Sequence, residues 1–206
     1  MRNILLVALI FTGLLAVGQD KKATGILNDV AGKTRSYEQI KIEFEYKMIN
    51  KGQGINESIQ GVLLSKGDKY KVDIAGQQVI SDGKTVWTFL ESVNEVQINE
   101  PMDDETGFNP RSFLENWSDN FKAKLISETR TEAIIDLTPI DAASFNKARL
   151  VVDTDKKQLI SMTMYDGNGN EFVYSITKFI TNIKLSDKEF TFSITDHPGV
   201  EVIDLR

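Results

Sequence analysis

Residues 40–48 read Ile-Lys-Ile-Glu-Phe-Glu-Tyr-Lys-Met. Apolar side chains stand at every second position, Ile40, Ile42, Phe44, Tyr46 and Met48, with Lys41, Glu43, Glu45 and Lys47 between them. Successive strand side chains point to opposite faces, so this period of two marks a strand with one apolar and one wetted face. The pattern recurs at Tyr70, Val72 and Ile74, at Ile160, Met162 and Met164, and at Phe190, Phe192 and Ile194. Antiparallel sheet is the architecture that keeps one face dry and the other in water. The dry face then needs a cover.

Working outward from this stretch, residues from Thr24 to about Gln39 carry Ile26, Leu27 and Val30 at helical spacing. Strands are predicted at 40–49, 58–65, 69–75, 77–81, 84–90 and 93–98, joined by turn residues such as Lys66-Gly67-Asp68 and Ser81-Asp82-Gly83. Short links of this kind make a meander. Glu100 to Asn109 is acidic and irregular, and Pro110 then opens a predicted helix carrying Phe113, Leu114, Trp117 and Phe121. Further strands are predicted at 123–128, 132–138, 147–153, 158–165, 171–180 and 189–195. No internal repeat or long linker divides the chain, so 19–206 reads as one domain. About a dozen strands make a sheet large enough to curl towards a barrel, with the two helical segments covering its apolar concave side.

Met1 to Gly18 holds one charge, Arg2, then an apolar run and the small residues Ala16 and Gly18. That is the pattern of a secretory signal cleaved before Gln19, and the run is too short for a comfortable membrane span. The expected product is exported. Without Arg2 the chain keeps 23 basic against 30 acidic side chains, a net charge of about −7, which argues against nucleic acid or anionic membrane surfaces as partners. The absence of cysteine rules out disulfides, thiolate metal sites and a lipid-bearing cysteine.

Few residues suggest chemistry. Gly83-Lys84-Thr85 looks like the end of a phosphate-binding loop, but the first glycine that loop needs would stand where Gln78 does, and a strand follows. Asp166-Gly167-Asn168-Gly169-Asn170 looks like the start of a calcium loop, yet Glu171 and Thr177 occupy the positions that need glycine and glutamate, and a hairpin turn explains it better. Asp103, Asp104 and Glu105 read as solvated loop carboxylates. His197 is the only histidine, and no Gly-x-Ser-x-Gly elbow offers it a nucleophile. No catalytic residue, metal or cofactor is expected.

The aromatic residues Phe44, Trp87, Phe113, Trp117 and Phe172 fit plain core on pattern alone. Two features favour a lining instead. A curved sheet of this size leaves more concave apolar surface than two short helices fill, and Met162 and Met164 are flexible side chains suited to irregular ligands.

The segment Ile80-Ser81-Asp82-Gly83-Lys84-Thr85-Val86-Trp87, with Phe89 and Asn94-Glu95-Val96 after it, resembles the LolA family of periplasmic chaperones that carry lipoproteins to the outer membrane. Phe190-Thr191-Phe192 followed by Pro198-Gly199-Val200-Glu201-Val202 is similar to that family's closing motif, and Ala23, Ile26, Leu27, Val30, Tyr37 and Phe44 to its start. The resemblance implies an unclosed, eleven-stranded half-barrel whose helices form a lid over a cavity for acyl chains. One departure is plain: Gly67 stands where well-studied members carry an arginine used in lid closure and release. Related sheets also serve envelope-stress sensors and lipid-binding proteins.

The expected function is therefore a periplasmic lipoprotein carrier, not an enzyme, with a sensor or binder of another lipid as the rival and a lipid-ester hydrolase as a more distant one. Its cavity is expected to be lined by Phe44, Tyr46, Tyr70, Val72, Ile74, Trp87, Phe89, Met162, Met164, Phe172, Tyr174 and Ile176, with Phe113 and Trp117 on the lid. Its expected partners are acylated lipoproteins, the inner-membrane lipoprotein-releasing ABC transporter and an outer-membrane acceptor, and a monomer is expected.

Overall fold

Asp20 starts the first element. Its Oδ1 accepts from the backbone N–H of Lys22 (3.0 Å) and Ala23 (3.2 Å), capping α1 (Lys21–Arg35), while Oδ2 accepts from Leu125 N–H (3.1 Å). One carboxylate thus both begins the helix and pins it to a strand far along the chain. The Ala23 and Leu125 donors, in that order, hold its carboxyl below the usual range. The computed structural model describes residues 20–101, 113, 114 and 116–206; the expected signal segment, the expected acidic loop at Asp103-Asp104-Glu105 and the expected helix start at Pro110 lie outside them.

The strands are β1 (Gln39–Asn50), β2 (Ile55–Lys66), β3 (Lys69–Ile74), β4 (Gln77–Ser81), β5 (Val86–Leu90), β6 (Glu95–Asn99), β7 (Phe121–Glu128), β8 (Glu132–Pro139), β9 (Lys147–Asp153), β10 (Gln158–Tyr165), β11 (Glu171–Thr181) and β12 (Glu201–Asp204). They form one open, curved sheet in the order β12-β6-β5-β4-β3-β2-β1-β11-β10-β9-β8-β7. Two meanders, β1 to β6 and β7 to β11, meet at a central β1–β11 seam that pairs Ile40 with Thr181 and Met48 with Phe172. All pairings are antiparallel except the last: β12 lies parallel to β6 at the edge.

Pairing register divides the sheet into two faces. The inner face carries α1, whose buried Ala23, Leu27 and Val30 pack with Ile135, Leu137, Leu150, Val152 and Met162 of β8 to β10. Leu114 and Trp117 join the same cluster. Trp117–Asn120 is a single helical turn, α2. The helix predicted from Pro110 is expected to include Phe121; instead Phe121 is extended and opens β7, because its backbone pairs with Pro139. The first helix likewise ends before the predicted Gln39, which already belongs to β1.

Three bulges bend the sheet along the second meander. In β10 the register steps past Ile160, so Leu159 and Met162 both point inward and Ile160 is 36% exposed, against the simple alternation expected at 160–164. In β11 Thr177 is the extra residue, and its hydroxyl donates to Glu43 O (2.9 Å). A third lies at Ile126.

The strand expected at 189–195 is not one. Residues Asp187–Phe190 and Ile194–Asp196 form 3-10 turns with local hydrogen bonds such as Glu189 N–H to Ser186 O, and their alternate aromatics, Phe190 and Phe192, are buried, Phe192 against the outer face of the first meander. Period-two burial here comes from a strap crossing the sheet, not from pairing within it. The chain then supplies β12, the twelfth strand.

Candidate functional site

The inner face is unevenly covered. Over β7 to β10 the helices leave Ile135, Leu137, Leu150 and Met162 without solvent exposure. Over β1, β2, β3 and β11 the cover thins, and a second cluster gathers Ile40, Ile42, Phe44 and Leu63 with half-buried Tyr37, Tyr46, Tyr70, Val72, Ile74, Tyr174, Ile176 and Phe179.

Between the two clusters lies a cavity of about 30 Å³ lined by Ile42, Phe44, Leu63, Val72, Leu159, Tyr174 and Ile176. A neighbouring void of about 20 Å³ shares Ile42, Leu63, Leu159 and Ile176 and reaches Thr34 of α1, Leu114, Ser65, Gln158 and Phe179. Each is about the size that holds one water, yet the first is walled by hydrocarbon and one phenol, which gives a water too few partners. Pockets that bind small ligands run to roughly 300–1,000 Å³. The site is a collapsed apolar cleft between sheet and helices.

Local sequence explains its shape. Opposite Phe44 in the β1–β2 ladder stands Gly61, and a Cβ there would lie 2.7 Å from Phe44 Cε2 and nearer still to Cζ. The missing side chain lets the Phe44 ring lie flat over the neighbouring strand. Tyr174 sits beside it, with ring centroids 6.1 Å from Phe44 and 5.0 Å from Tyr46. Burial, and secondarily Tyr46, pushes the Tyr174 hydroxyl up to about 12. Burial also raises Tyr70, and burial with nearby Glu57 raises Tyr46.

Of the residues expected to line a cavity, Phe44, Val72, Tyr174 and Ile176 surround this one, and Tyr46, Tyr70 and Ile74 flank it. Met162 lies wholly buried beneath α1, with Met164 packed against the same cluster, and Phe172 is half-buried at the far end of the seam, opposite Met48. Trp117 and Phe113 pack over the β7 end of the sheet, Phe113 against Phe121 at 5.3 Å. Trp87 and Phe89 are a correction: register pairs them with Ile80 and Gln78, on the face opposite Val72, and there Phe192, His197 and Val200 cover them. Sequence reasoning missed Ile42, Leu63 and Leu159. Ile42 shares the alternation of Phe44, whereas Leu63 is hidden in the run Val62-Leu63-Leu64 and Leu159 by the bulge.

The other motifs resolve as structure. Both Asp166 oxygens are occupied by Asn168 and Asn170, and buried Asn50 donates to Asn170 Oδ1 (2.7 Å), so this is a tied hairpin turn. His197 stacks on Phe192 and meets Phe89 edge-on, each at 4.5 Å, with Nδ1 2.9 Å from Ser193 O. The sheet separates it from the cleft. Gly67 adopts φ +56°, a left-handed conformation in which an arginine would be strained. Lys66 is tied on the outer face to Leu185 O (3.2 Å) and Asp187 (3.0 Å), and Lys69 also reaches Asp187 (3.2 Å). Among the described residues no group of three or more acids or histidines is placed to hold a metal, and no helix is long and apolar enough to cross a membrane.

The amino-acid sequence matches, over residues 28–193, the family model described as outer membrane lipoprotein carrier protein LolA. The chain belongs to the LolA family. The fold is similar to an uncharacterised conserved protein from Thermus thermophilus, with a TM-score of 0.60 at 12% identity over 89% of this chain and 99% of that one. A LolA superfamily protein from Nitrosomonas europaea is similar at 17% identity and TM-score 0.47, over 82% of this LolA-family chain and 97% of that chain. A putative outer membrane lipoprotein-sorting protein domain from Vibrio parahaemolyticus follows at 12% identity and TM-score 0.48, over 83% and 97%. No curated protein matches the sequence.

Proposed function

We propose that this LolA-family protein is a periplasmic carrier that shelters the acyl chains of lipoproteins in its inner cleft and ferries them from the inner to the outer membrane. The observation that carries the reading is the under-filled cleft, lined by Ile42, Phe44, Leu63, Val72, Leu159, Tyr174 and Ile176 at the edge of the helix cover. Exposing one chain of roughly sixteen carbons costs about 12 kcal/mol at ~0.8 kcal/mol per methylene, so such a cargo needs a container in water. The closed cleft also supplies a means of release. Loading must part apolar surfaces that touch when the carrier is empty, and restoring those contacts offsets part of the energy of holding the cargo.

In this reading the inner-membrane lipoprotein-releasing ABC transporter loads the carrier and an outer-membrane acceptor unloads it, with the carrier a monomer throughout. The test is mass spectrometry of whatever copurifies with the tagged protein from periplasm. Acylated proteins are expected. Recovery of free lipid alone, or of a signalling partner without acyl groups, would replace the carrier reading with a lipid binder or sensor.

A further inference from the structure

The inner face changes character strand by strand. On β3 it presents Tyr70, Val72 and Ile74; register carries these across to Ser81, Val79 and Gln77 on β4, then to Val86, Thr88 and Leu90 on β5. On β6 the same rows end in Asn99, Gln97 and Glu95, and β12 places Glu201 beside Glu95. Gln97 Nε2 donates to Glu95 Oε1 (2.8 Å). Four strands starting at the cleft therefore pass from hydrocarbon on β3, through mixed rows on β4 and β5, to amides and a carboxylate on β6. At an interstrand spacing of about 4.8 Å the polar rows begin within roughly one strand of the cavity wall and extend about 15 Å from β3.

Among the described residues, what this surface lacks is a cation. All ten lysines and arginines of the described strands (41, 47, 66, 69, 71, 122, 124, 147, 149 and 178) fall on the outer face by register. Of the other basic side chains, Lys33 of α1 lies above the Tyr37 ring at 5.3 Å, Lys157, in the turn before β10, reaches Asp29 at 2.9 Å, Arg206 pairs with Asp204 at 2.7 Å, and Lys84 is exposed in the turn between β4 and β5. The inner surface of β4 to β6 sets Gln77, Ser81, Thr88, Gln97 and Asn99 among Val79, Val86 and Leu90, and the only charged strand residue it presents is acidic, Glu95.

We infer that the cleft selects amphiphiles whose head group is uncharged and hydrogen-bonding, such as an ester- or amide-linked diacyl group without phosphate, and rejects anionic phospholipids of the same chain length. Gln77, Thr88, Gln97 and Asn99 meet the head, while Glu95 and Glu201 repel a negative one. The inference rests on the acyl-binding reading of the cleft. It adds a reason why a carrier working among membrane phospholipids is not filled by them: a phosphate would be desolvated against carboxylates with no base among the described inner-face strand residues to pair it.

The test uses the purified protein loaded with the neutral fluorophore N-phenyl-1-naphthylamine, displaced by dioctanoylglycerol or by dioctanoyl phosphatidylglycerol at equal chain length. The neutral lipid is expected to displace it at a concentration about tenfold lower or better, and Gln97→Lys to narrow or reverse that preference. Asn99→Lys provides the same charge at a second position should Gln97→Lys not fold, as judged by circular dichroism. Equal displacement by both lipids, unmoved by either lysine, would overturn the head-group inference and leave acyl binding intact. Failure of the protein to take up the fluorophore or either lipid would overturn the acyl reading itself.

Discussion

Replacing Gly61 by alanine tests whether the cleft is a binding space or only imperfect core. The new methyl would stand 2.7 Å from Phe44 Cε2 and nearer still to Cζ, so the ring has to retreat by about 1–1.5 Å to restore a carbon–carbon separation of about 3.5–4 Å. Its open direction is the cavity that Phe44 itself borders, about 30 Å³. Overpacking a tight core costs about 1–3 kcal/mol, and a void beside the ring places this variant at the low end, about 1 kcal/mol. Stability is read by urea denaturation, and binding by uptake of N-phenyl-1-naphthylamine. Uptake should fall severalfold, because the displaced ring fills the space a chain would occupy. Phe44→Leu in the same background removes the obstructing ring edge, so the double variant should regain uptake and the two changes should be non-additive. Wild-type uptake by Gly61→Ala, or strict additivity in the double variant, would refute the claim that Phe44 and Gly61 together shape the site.

Two further outcomes follow from charge and burial. Burial raises the Asp136 carboxyl, but its bidentate contact with Arg149 (2.7 and 2.9 Å) and the nearby Lys147 outweigh this and leave it lowered. The stability it gives is present above the ordinary carboxylate value of 3.8 and lost as pH falls through the lowered one, so Asp136→Asn should cost about 1–2 kcal/mol at pH 7 and flatten the acid limb of the urea midpoint against pH. Tyr174 is raised from 10.0 to about 12, so its contribution is complete below pH 10 and lost as pH rises towards 12. Absorbance at alkaline pH should show one of the five tyrosines ionising only near pH 12, together with unfolding, and a single transition near pH 10 would contradict its burial.

Much of the sheet is legible in the sequence because burial on one face only writes itself as alternation. Residues 77–81, 147–153 and 158–165 have the bounds their pattern predicts. Alternation says that two faces exist, however, and not which of them a given strand turns inward. Aromatic character alone places Trp87 and Phe89 in the cavity, and only the ladder through Ile80 shows them on the other side. Ile160 misleads for a different reason: one inserted residue in β10 reverses the parity of everything before it. At 190–194 the apolar residues alternate in sequence, but the strap of 3-10 turns buries only Phe190 and Phe192, the latter against Ile80, Phe89 and Val96, and leaves Ile194 exposed, and nothing local separates that pattern from a strand. The pale signal of β12, four residues with Val202 and Ile203, is legible only once β6 is known to have a free edge.

The central seam has a kinetic consequence. Its partners Ile40 and Thr181 are separated by most of the described chain, so the two meanders can each assemble from neighbouring strands but cannot join until the polypeptide is available through β11. Until then β1 and β11 are both bare edges, and β6 stays bare until the last strand arrives. Folding of this chain is therefore slow and late in its decisive step. Its period of greatest exposure to aggregation falls before that step, when the apolar rows later enclosed by the seam still face water.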